Sequence, residues 1–68
     1  MHPEPPTPAT LLAMREAAGL TQERAAVAAG VSVTSLWRYE TGRLVPSSHV
    51  LRSLFAAYER VVGEGTKP

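Results

Sequence analysis

Residues 21–40 read TQERAAVAAGVSVTSLWRYE, and this stretch decides the fold. Thr21 has the chemistry of an N-cap, a side-chain oxygen that accepts from a first-turn N–H, and Glu23 just after it suits the positive end of a helix dipole. Gly30 is a left-handed stop only about eight residues later, since a residue without a Cβ adopts positive φ at no steric cost. Ser32 caps a further helix. Two helices joined through Gly30-Val31-Ser32 alone must cross steeply, the geometry of a helix-turn-helix. The inward positions of the first, Ala25, Ala26 and Ala29, are all small, so another helix can approach closely. That segment braces a neighbour rather than supplying bulk to a core.

On a helical wheel, residues 33–40 place Leu36 and Tyr39 on one side, with Thr34 and Arg38, four apart, on the other. The first side packs and the second reads. An exposed helix in a DNA major groove can offer an Arg that donates twice to guanine O6 and N7, and a Thr that bonds a base edge or presses its methyl on thymine. Val33 has only apolar surface to offer, which suits a thymine methyl. The net charge of +1 is weak evidence for a polyanionic partner, but its distribution is more telling. Between residues 31 and 54 the only acid is Glu40, against Arg38, Arg43 and Arg52.

Working outward, Thr7 is an N-cap with Pro8 at the first helical position, and Gly19 is a stop, which predicts a helix over residues 8 to about 18. Leu11, Met14 and Ala18 share its core face, flanked by Arg15. After the third helix the chain turns at Thr41-Gly42 and runs to Pro46, and Ser47 or Ser48 caps a last helix that ends near Val62 or Gly63. Val50, Leu51, Leu54, Phe55, Tyr58, Val61 and Val62 form a broad apolar arc along it. The expected organisation is a disordered proline-rich arm over 1–6, one domain over 7–63 and a frayed tail over 64–68. The fold class is all-α, with no strand-like alternation and no internal repeat.

Composition narrows the function. With 68 residues the chain makes one small, marginally stable core, and without cysteine it has neither disulfides nor a thiolate metal site. His2 and His49 are too far apart to suggest a ligand pair, so no metal and no cofactor are expected. There is no nucleophile–base pair, no phosphate-cradling glycine loop and no carboxylate cluster, which argues against an enzyme. No apolar run approaches the ~20 residues that cross a bilayer, and nothing resembles a signal peptide, so the expected place is the cytoplasm, with no membrane and no small-molecule partner.

Several fixed spacings then match together: Leu20-Thr21-Gln22, Gly30-Val31-Ser32, Leu36, Arg38, Tyr39, Glu40, Gly42-Arg43 and Pro46-Ser47. They resemble the Cro/C1-type (XRE-like) helix-turn-helix family of phage repressors and bacterial transcriptional regulators, over roughly residues 11–58. The resemblance implies a compact, lambda-repressor-like bundle of four helices, or five if the last stretch divides. It implies a sequence-specific binder of double-stranded DNA that represses by occupying an operator. An antitoxin or a restriction-modification controller would use the same surface. A protein-interaction module, docking through Trp37 and the distal apolar arc, is the reading from a different class.

Residue by residue, the resemblance puts Val33, Thr34 and Arg38 at base-reading positions, and Gln22, Ser35 and Arg43 where phosphate contacts fall; Thr21, Ser32 and Trp37 are expected phosphate contacts beside them. Gln22 is also expected to brace the start of the recognition helix. Arg15 and Glu40 match a partly buried structural ion pair. The chain departs from the family where Ala25 and Ala29 replace large aliphatics, so core volume must come from Leu54, Phe55 or Tyr58. Trp37 stands where small or polar residues are common, and its wheel angle lets it close the core edge, meet the DNA backbone or meet a partner subunit. His49 reads as a surface residue. The end of the apolar arc, Tyr58, Val61 and Val62, is the expected homodimer contact, which would set two recognition helices ~34 Å apart.

Overall fold

The computed structural model describes residues 6–65, and these form four helices: α1 (Pro8–Ala17), α2 (Gln22–Ala29), α3 (Val33–Glu40) and α4 (Ser48–Gly65). Each begins with the same device. The hydroxyl oxygens of Thr7, Thr21, Ser32 and Ser47 accept from the N–H groups of Thr10, Arg24, Ser35 and Val50 at 3.1, 3.1, 3.0 and 3.2 Å. Each satisfies a first-turn donor that has no partner within its own helix.

The first three helices also end alike. Gly30 adopts φ +72°, and Val31 N–H reaches back to the Ala26 carbonyl at 3.0 Å while Gly30 N–H bonds Val27 at 3.2 Å, the bond pattern of a Schellman motif. The same pattern closes α3, where Gly42 has φ +79° and Arg43 N–H bonds the Arg38 carbonyl at 2.8 Å. Gly63 does not act this way. It stays out of the left-handed region and α4 continues to Gly65, past the stop expected at Val62 or Gly63, because a glycine permits a helix end without enforcing one. Most of the expected arm, 1–5, and the last residues of the expected tail, 66–68, lie outside the described residues.

Packing follows from side-chain size. Ala25 and Ala26 on α2 and Ala57 on α4 are all buried, and α2 packs chiefly against α4 and then against α3, while α1 packs against α3. Small side chains allow that close approach. Bulk comes from Leu11, Leu36 and Leu54, each fully buried, with Tyr39 and Tyr58 beside them and Phe55 packed at the edge. Tyr58 is 3% exposed, so its ring belongs to the core of its own chain and is withdrawn from the dimer contact expected of it. Its hydroxyl has no hydrogen-bond partner among the described residues, and burial pushes its pKa up from the ordinary value. No described helix is long and apolar enough to cross a membrane.

Candidate nucleic-acid interface

The short α2–α3 connection leaves one face of α3 packed and the other outward. Leu36, Tyr39 and Glu40 are buried, while Thr34 and Arg38 are exposed and Val33 is 41% exposed. Neither Thr34 nor Arg38 has a side-chain hydrogen bond or ion pair to any described residue, so their polar atoms are available to a partner. At the start of α3 the Ser32 hydroxyl donates to Ser35 Oγ at 2.8 Å while accepting from Ser35 N–H. That geometry leaves the Ser35 hydroxyl hydrogen for an outside acceptor. Thr21 Oγ1 is likewise engaged in its own cap.

Behind this face lies a buried polar network. Arg15 Nε donates to Glu40 Oε2 at 2.7 Å and Arg15 Nη2 to Oε1 at 3.2 Å, a two-pronged ion pair. Arg15 Nη1 also donates to the Leu20 carbonyl at 2.8 Å, which ties the α1–α2 turn to the same point. The hydrogen bond to Glu40 pushes the Arg15 pKa further up, so the guanidinium stays charged. Gln22 Nε2 donates to Glu40 Oε1 at 3.0 Å. Gln22 therefore braces the far end of α3 rather than its start, because the carboxylate it can reach sits there. One amide N–H and the carbonyl remain for an outside partner.

Two features escaped the sequence reading. Arg15, Thr21, Gln22, Glu23 and Val33 line one open groove of about 510 Å³, which brings the Glu23 carboxylate to the edge of the reading face. The adjacency of the α2 start to the α3 start in a steep crossing was the available signal. The second feature is at the other end of α3. Arg43 Cζ lies 4.9 Å from the centre of the Trp37 ring, and Trp37 is 41% exposed. Trp37 is thus neither a core residue nor unoccupied surface. Thr41 Oγ1, donating to the Trp37 carbonyl at 2.8 Å, helps close the same turn.

Of the expected dimer contacts, Val61 is half-buried and Val62 is 47% exposed. Val62 borders an apolar groove of about 420 Å³ with Met14, Ala17, Tyr58, Glu59 and Gly63.

No curated protein matches the sequence. A family model described as a helix-turn-helix domain matches residues 9–64, which takes in all four helices but for one residue at each outer end. With α2 and α3 packed together across the Gly30 turn, and with that match spanning most of its length, the chain belongs to the helix-turn-helix domain family of DNA-binding proteins, in agreement with the Cro/C1-type resemblance of its sequence.

Proposed function

We propose that this chain is a sequence-specific transcriptional regulator of the Cro/C1 type, which lays α3 in the major groove of double-stranded DNA and represses by occupying an operator. The observation that carries the reading is the division of α3 itself. Its one acid, Glu40, is buried and paired with Arg15, while Arg38 and Thr34 stand outward with side-chain polar atoms that no described residue engages. An acid left on the outer face would repel phosphate, and a paired Arg38 could not donate to guanine.

In this reading Val33, Thr34 and Arg38 meet base edges. Thr21, Gln22, Ser32, Ser35 and Arg43, the last with Trp37 against it, set the register on the phosphates, which supplies affinity but no sequence information. Two copies bind one two-fold operator and meet through Val61 and Val62.

The test is a comparison of cognate and random duplexes, with the cognate site first selected from a random library. Arg38→Ala should cost ~1–3 kcal/mol on the cognate duplex and relax preference at one base pair. Arg43→Ala should weaken both duplexes alike and make the salt dependence shallower by ~0.9 in log–log slope. Equal losses for both variants on both duplexes would refute the division of roles, and no binding at low salt would end the reading.

A further inference from the structure

We infer that Trp37 is a positioning residue for Arg43: its indole holds the guanidinium ready for a backbone phosphate without neutralising it. The inference rests on the DNA-binding reading above. The separation of 4.9 Å between Arg43 Cζ and the ring centre is within the ~6 Å over which an aromatic face attracts a cation. Both partners hang from one short frame. Trp37 sits on the last turns of α3, and the Arg38 carbonyl accepts from both Arg43 N–H at 2.8 Å and Leu44 N–H at 3.2 Å. The Arg43 backbone is therefore fixed relative to the ring, and only its long side chain needs holding.

A carboxylate could hold that side chain, but it would cancel the charge and occupy the N–H donors that a phosphate needs. A ring attracts the cation through its face and leaves all five donors free. The molecule contains both solutions. Arg15 is held by Glu40, largely buried and neutralised, and serves the fold. Arg43 is exposed and held by Trp37, with no acid paired to it among the described residues. This accounts for a large aromatic at an outward position of α3 where the core gains little from it. Trp37 thus acts on DNA through Arg43, and one turn of α3 supplies both the base-reading Arg38 and the platform for the phosphate contact.

The experiment is a double-mutant cycle read by duplex binding across salt concentrations. Trp37→Leu keeps apolar bulk and removes the ring; Trp37→Phe restores a ring. Each is made in the wild-type and the Arg43→Ala backgrounds, with thermal melts on the free proteins. Trp37→Leu should weaken cognate and random duplexes alike by about two- to fivefold, the worth of an exposed cation–π contact. Trp37→Phe should restore most of that loss, and Trp37→Leu should cost nothing further once Arg43 is alanine. In the free protein, Arg43→Ala should shift the emission of Trp37, the only tryptophan. A Trp37→Leu loss that persists undiminished in the Arg43→Ala background would overturn the inference, as would Leu and Phe behaving identically. Those outcomes leave DNA binding standing, whereas a wild-type protein that ignores every duplex at low salt sinks the function itself.

Discussion

At the scale of single residues, the Glu40 carboxylate is where fold and function meet. Its side chain is 2% exposed and accepts three hydrogen bonds, two from Arg15 and one from Gln22. A buried carboxylate is costly unless every oxygen is matched, so the pair is better judged by the damage of removing one partner than by what it adds. Arg15→Ala leaves Glu40 with Gln22 alone and frees the Leu20 carbonyl. Since Arg15 is itself 13% exposed, some water can re-enter; the expected loss is ~2 kcal/mol, or about 10 °C in melting temperature for a domain of this size. Gln22→Ala should cost less, because a neutral donor is more easily replaced by water. An Arg15→Ala protein that melts with the wild type would show that the ion pair does not hold the three helices together.

At the scale of elements, the important object is the α2–α3 turn, because together with the buried Leu36 and Tyr39 it decides which face of α3 points outward. Gly30 adopts φ +72°, and a Cβ built there would meet nothing within 4 Å. The penalty of Gly30→Ala is therefore one of backbone conformation, ~1–2 kcal/mol, with no clash added. Thermal melts should place Gly30→Ala several degrees, about 4–8 °C per kcal/mol lost, below wild type. Gly30→Asn should fall between the two, because asparagine tolerates the left-handed region better than alanine. If alanine and asparagine were equally harmful, the strained φ would not be the cause.

At the scale of the whole molecule, the proposed two-fold operator requires a surface through which two copies of this small bundle meet. The start and middle of α4 close the core over α2, but its last turns run past it, leaving Val62 47% exposed beside the groove with Met14 and Ala17. Our proposal pairs two copies there, with Tyr58 retained inside each protomer. Light scattering of the complex should give two chains per operator, and Val62→Glu should reduce this to one while leaving the melting curve nearly unchanged. One chain per operator for the wild-type protein would end the two-fold arrangement.

What was determined by the sequence alone is what depends on neighbours along the chain. Thr7, Thr21 and Ser32 as caps, Gly19 and Gly30 as left-handed stops, the turn at Thr41-Gly42, and the separation of Leu36 and Tyr39 from Thr34 and Arg38 are all local, and each was legible from residue type and spacing. The continuation of α4 through Gly63 was not, because helix length depends on more than the residue that could end it. Only the tertiary structure decided which distant groups meet: Leu54 and Tyr58 rather than Phe55 taken fully into the core, Gln22 turned to Glu40, Glu23 set beside Val33, and Trp37 placed under Arg43. The reason is physical. Caps and stops satisfy backbone groups within one turn, whereas a side chain's partner is chosen by how whole helices cross, and that crossing is set by the core they share.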